Sequence, residues 1–266
     1  MRSSPSREFV RLGSGNPFLK GTVKYSPSSQ SVQAYARVGG ILYFVVIVAA
    51  IFAQVFVRSR LTVPGDASAT AANILASEFL FRTGIAAELV VLLCDVALAL
   101  IFFVLLRPVS RNLALLAAFL RVVMAAISGV NALNHFDALL WLQATPYAVG
   151  IEPTLLQTMA YHALKTHAYG FHVALVFFGV CCLILGVLIH RSGFLPKILG
   201  SLMIVAGICY LINSFASFLA PVIAGKLGPA ILLPALVAEV SLAFWMMIRG
   251  VDLQKWRLRD DYPANA

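Results

Sequence analysis

Four ionisable side chains sit where charge is most expensive, inside long apolar runs: Glu88, Asp95, Arg121 and Glu239. A charged residue at the centre of a membrane-crossing helix costs at least ~2.5 kcal/mol, and it ordinarily faces the interior of a helix bundle. Asp95 lies twelve residues before Arg107, Arg121 ten after Arg111, and Glu239 ten before Arg249. At ~1.5 Å per residue these three reach a common depth of ~15–18 Å, near the midplane. A midplane cluster of Asp95, Arg121 and Glu239 is therefore expected. Two carboxylates and one guanidinium leave a negative charge in excess, so one carboxyl is expected to carry a proton. The cluster then serves either as a proton or cation relay or as an ion pair that fixes helix packing.

A second polar layer lies farther from the same surface. Glu88, Asn131, His172 and Asn213 fall at ~24–30 Å by the same rise. Glu88 and Asp95 are seven residues apart, while Arg121, Ser128 and His135 repeat at the same heptad with Asn131 beside them. Each helix thus carries its polar residues on one face. His135 and His167 come level at ~35 Å, with Asn134, Asp137 and His162 nearby. Two or three imidazoles with a carboxylate form a donor set for Zn²⁺ or another transition metal. His162, His167 and His172 are five residues apart, a turn of ~140° per step, so one helix cannot point all three the same way. A shared site needs His135 from the preceding helix or a helix break near Gly170. The competing reading is interfacial histidines bonded to water or backbone.

The chain that must position these residues is 61% hydrophobic and 12% charged, far from the ~25% charged residues of soluble domains. So much apolar surface requires lipid to cover part of it. The four cysteines, Cys94, Cys181, Cys182 and Cys209, lie in apolar segments and form neither a disulfide framework nor a zinc motif. H-E-x-x-H, G-x-S-x-G, Walker A and G-x-G-x-x-G signatures are all missing from the sequence. The net charge of +9 gathers between apolar blocks and at the ends, a topology pattern and not a nucleic-acid surface.

The expected fold is all-α, a polytopic bundle of six transmembrane helices near 36–57, 79–106, 112–133, 168–190, 195–219 and 229–249. Residues 1–34 read as a disordered basic tail, or as an organelle transit peptide; 35–252 form the membrane domain and 253–266 a second tail. With the N-terminus inside, the cytoplasmic segments hold Arg2, Arg7, Arg11, Lys20, Lys24, Arg37, Arg107, Arg111, Arg191, Lys197, Arg249, Lys255, Arg257 and Arg259. The outer side holds Arg58, Arg60, Lys165 and Lys226. This bias predicts both termini in the cytoplasm and residence in the plasma (inner) membrane. Short turns at 107–111 and 190–193 make the helices they join antiparallel neighbours. Ser68 or Thr70 is expected to cap a helix leading into span two, and Pro234 to kink the last span. Pro153 is expected to begin a helix running continuously through His162 and His167 into span four, so that spans three and four project as an outer hairpin. Trp141, Tyr147, Tyr161 and Tyr169 suit an outer aromatic belt.

Several segments carry a family likeness. They include Val63-Pro64-Gly65-Asp66, Cys94-Asp95-Val96-Ala97-Leu98, Leu105-Leu106-Arg107-Pro108-Val109, Leu133-Asn134-His135, His167-Ala168-Tyr169-Gly170 and Arg191-Ser192-Gly193-Phe194-Leu195-Pro196. Together they resemble the bacterial membrane proteins of domain-of-unknown-function family 4386, over roughly residues 35–252. The resemblance implies an integral membrane protein and brings no activity with it.

The functional expectation is an outward-facing polar pocket between the second and fifth spans, floored by Asp95 and Arg121. It would serve a small polar or amphipathic ligand in a transporter-like or sensing role, with the lipid bilayer as the other partner and no cofactor. No internal repeat supports the transporter version. The alternatives are a membrane-embedded metalloenzyme using His135, His167 and His172 with Glu88 or Asp137, and an accessory protein with no ligand site.

Overall fold

The computed structural model describes residues 29–143 and 150–261. Tyr147 and most of the basic N-terminal tail lie outside the described residues. The chain begins as α1 (Ser29–Ile51), passes into a π-helical segment (Phe52–Arg58) and closes with one α-turn (Ser59–Leu61). There follow α2 (Ala67–Ala76), α3 (Glu78–Leu106), α4 (Arg111–Asn131), α5 (Leu133–Leu142) and the forty-residue α6 (Pro153–Ser192). The last elements are α7 (Lys197–Leu219), α8 (Pro221–Leu227), a 3₁₀ turn (Gly228–Leu232), α9 (Leu233–Ile248) and α10 (Leu253–Asp261).

Helix is the form expected in lipid, because it satisfies every backbone polar group within its own segment. Among the described residues, six helical stretches are long and apolar enough to cross a membrane. Local chemistry sets their ends. Pro153 opens α6, where a missing N–H costs nothing, and Gly193 at φ +75 ends it in the left-handed region. The cap of α2 differs from expectation: Asp66 accepts from the Ala69 backbone N–H at 2.8 Å, and Thr70 instead donates back to the Asp66 carbonyl. A carboxylate at that position competes better for the free helix donors than a hydroxyl one turn inside. Pro234 also falls in the first turn of α9 and not mid-helix, the preceding turn being 3₁₀.

The six long helices pack in chain order as a ring, α1 on α3, α3 on α4, α4 on α6, α6 on α7, α7 on α9, and α9 back on α1. A close seam joins α6 and α7, where Gly179 and Gly186 face Gly207 and Gly200. A Cβ on Gly200 would lie 2.6 Å from the Gly186 carbonyl oxygen. Small residues let the backbones touch, which lipid cannot otherwise drive. Leu93, Leu100, Phe119, Val205, Ile212 and Val237 point outward and give the ring an apolar exterior. Beyond the ring, α5 folds against the first half of α6 over Ala138, Ala160 and Ala163, which forms the projecting hairpin.

One end of the ring gathers both described chain ends. Gln33 donates to the Arg249 carbonyl at 2.9 Å and accepts from the Val251 N–H. Leu253–Asp261 is a docked helix: Trp256 is 1% exposed and donates its indole N–H to the Leu105 carbonyl at 2.8 Å. Asp252 caps that helix through the Lys255 N–H at 3.1 Å. This bond holds the exposed carboxyl of Asp252 below the usual aspartate range.

Candidate functional site

At mid-depth the ring is filled by a charge. Arg121 of α4 donates from both Nη2 and Nε to Asp95 Oδ1 on α3, at 2.6 and 3.1 Å, with the two side chains 1% and 5% exposed. Its guanidinium also lies 5.1, 5.2 and 5.6 Å from the ring centres of Tyr43, Phe178 and Phe102. Three helices, α1, α3 and α6, therefore supply aromatic faces and α3 also supplies the counter-ion, a cation–π and ion-pair clamp across the bundle. Glu239 on α9 accepts from the Tyr210 hydroxyl of α7 at 2.7 Å, a hydrogen bond to α7 and not to Arg121. Among the described residues, Arg121 Nη1 and the Tyr43 hydroxyl are buried without a hydrogen-bond partner.

The second layer resolves into two clusters. In the first, His135 Nδ1 on α5 lies 3.1 Å from Glu88 Oε2 on α3, and His167 Nε2 on α6 lies 3.1 Å from Glu88 Oε1. The imidazoles stack with centroids 3.7 Å apart, and both are buried. Asn131 fixes this register by donating to the His167 carbonyl at 2.8 Å. Gly170 is what lets α6 come so near, since a Cβ there would collide with the Asn131 side chain. The second cluster pairs α6 with α7: His172 Nδ1 is 3.3 Å from Asn213 Nδ2, and its Nε2 is 3.2 Å from Ser217 Oγ.

His162 and Asp137 fall outside both clusters. His162 is exposed on the opposite face of α6, and Asp137 is exposed and accepts from the Trp141 indole at 3.2 Å. The helical screw is the cause: five residues from His167, and two from His135, turn a side chain by ~140° and ~200°. For the same reason His172 faces α7 and does not join His135 and His167.

Arg58 joins the first cluster although it ends the first span. Its Nη1 is 3.5 Å from Glu88 Oε2, and its Nε donates to Gln54 at 2.8 Å. The π-helical segment Phe52–Arg58 makes this placement, because a π turn adds a residue and rotates all that follows by ~100° relative to an α-helix. A cavity of about 10 Å³ borders Arg58 and His135, lined further by Ala53, Val57, Phe81, Gly84 and Ile85.

Sequence reasoning placed Glu88, His135 and His167 among its candidates but did not foresee Arg58, Tyr43, Tyr210 or Ser217. For Arg58 the available signal was the Gln54 four residues earlier, one helical turn away. Tyr43 and Tyr210 gave none beyond their position in apolar runs.

Among the described residues, six apolar helices long enough to cross a membrane suggest a multi-pass membrane protein. Within that class, the profile of the domain of unknown function DUF4386 matches residues 38–250, and the chain belongs to this family. An uncharacterized protein of Archaeoglobus fulgidus is 28% identical over 165 residues, covering 62% of this chain and 82% of the relative. No solved structure gives a significant match.

Proposed function

We propose that this protein binds a divalent transition metal ion of the Zn²⁺ class at Glu88, His135 and His167. The carrying observation is that one ligand atom from each of these residues, on three different helices, lies within 4.8 Å of the other two. His135 Nδ1 lies 3.1 Å from one Glu88 carboxylate oxygen and His167 Nε2 lies 3.1 Å from the other. A tetrahedral ion with bonds of ~2.0–2.1 Å needs edges of about 3.3 Å, so the carboxylate must turn to bring one oxygen near both ring nitrogens. Two imidazole nitrogens and one carboxylate oxygen are a donor set suited to zinc. Metal binding gives the expected small-ligand role its narrowest form, in which the ligand is an ion held between helices.

The positive-inside bias supports placing the end that gathers the chain termini in the cytoplasm of a plasma (inner) membrane. Glu88 is eighteen residues from Leu106 at that end, about 27 Å along the helix, so the metal site falls in the outer half. A second reading rests on Arg58. Its charge offsets that of Glu88 at 3.5 Å, so the same four residues also make a balanced ion-pair network with neutral imidazoles.

Metal content separates the two. Untagged protein would be stripped with chelator, loaded with Zn²⁺, dialysed and assayed by elemental mass spectrometry. The metal reading expects about one zinc per chain, lost in His135→Ala, His167→Ala and Glu88→Gln. Zinc retention no higher than in those variants leaves the ion-pair network as the account of the cluster.

A further inference from the structure

We infer that the metal site keeps an open fourth position occupied by a small anion, with Arg58 as the residue that positions it. The inference rests on the metal reading and adds to it a ligand class and a further site residue. Charge comes first. A divalent ion with one carboxylate, two neutral imidazoles and the Arg58 guanidinium 3.5 Å from that carboxylate carries a net double positive charge. Unbalanced charge of that size is costly in a buried, low-dielectric site, so an anionic ligand is required.

Space comes second. Glu88, His135 and His167 supply three donors, and a three-ligand zinc site ordinarily leaves its fourth position to water or substrate. The cavity of about 10 Å³ has room for about one water-sized ligand and borders Arg58 and His135, though not Glu88 or His167. The rest of its lining is apolar, so Arg58 is the charged group that borders it.

Geometry comes third. Gln54 holds Arg58 Nε at 2.8 Å, and the π-helical segment turns the guanidinium toward α3. Val57 of the same segment packs against Gly84, where a Cβ would come within 2.8 Å of Val57 Cγ1. The segment is thus seated tightly on α3, with Arg58 directed at the site. A guanidinium beside the metal ligands favours an anion there, because it attracts negative ligands and repels a second cation.

The test uses the full chain loaded with Co²⁺, whose d–d absorption reports its coordination. Chloride and azide are titrated as probes of one and three atoms. The expected result is a saturable spectral change with at least one of them, its affinity lowered about tenfold or more in Arg58→Gln and less in Arg58→Lys. Cobalt bands that stay unchanged with both anions in the wild-type protein overturn the inference while leaving the metal reading intact. Equal anion affinity in folded Arg58→Gln also overturns it, because Arg58 then has no part. Absence of cobalt bands altogether is a failure of the metal reading itself.

Discussion

Replacing Asp95 with alanine should cost far more than the loss of one hydrogen-bonded pair, because it strands Arg121. The guanidinium is 1% exposed and donates twice to Asp95 Oδ1. Breaking a buried ion pair by removing one partner costs about 3–5 kcal/mol, most of it the penalty of an uncompensated charge. The contacts with Tyr43, Phe102 and Phe178 are desolvated and so stronger than exposed cation–π pairs, but they persist in the variant and cancel from the difference. They also pin the guanidinium at mid-depth, where it cannot reach water. Asp95→Ala is therefore expected to lose about 3–5 kcal/mol in reversible unfolding from mixed micelles. Adding Arg121→Met removes the stranded charge at the expense of the ring contacts, and should recover at least about 1 kcal/mol. A single-variant loss below about 1 kcal/mol, or a double variant no more stable than the single, refutes the reasoning.

Three further outcomes follow from the same geometry. Gly170→Ala drives a methyl group into the Asn131 side chain, so it should cost about 1–3 kcal/mol and weaken zinc retention, as unfolding and metal analysis would show. If Asp95 and Arg121 balance each other, Glu239 beside Tyr210 should be the carboxyl that carries a proton. Infrared spectra at neutral pH should then show a protonated carboxyl band that disappears in Glu239→Gln and shifts in Tyr210→Phe; a spectrum with every buried acid ionised would refute this. Trp256→Phe leaves the Leu105 carbonyl without its indole donor and should cost about 1–3 kcal/mol, seen as easier proteolysis of the segment after 252.

Most of the architecture is legible because lipid imposes it. Long apolar runs must be helices, and the turns at 107–111 and 190–193 leave the chain no option but antiparallel neighbours. The continuous helix from Pro153 could be read from the proline position and the unbroken pattern after it. Depth counting put Asp95 level with Arg121, and it put His135 level with His167, because rise per residue is nearly invariant. Angular position was harder. Glu239 reaches the right depth, yet its bond goes to Tyr210, since rotation about α9 depends on packing that no count along the chain reveals. Arg58 was hidden for a related reason. Reading the first span as a regular helix leaves Arg58 in an outer connection, and the π-helical segment that turns it inward has no composition signature in Phe52–Arg58. The split of the outer layer follows from the five-residue spacing of the histidines, which sends His167 toward Glu88 and His172 toward Asn213.

The most direct test of the metal centre is X-ray absorption at the zinc edge on the loaded full-length protein. The account predicts a light-atom shell of nitrogen and oxygen at ~2.0–2.1 Å, with the multiple-scattering signature of two imidazoles that falls to one in His135→Ala. A shell without imidazole scattering, or one containing sulfur at ~2.3 Å, would contradict the assignment to Glu88, His135 and His167.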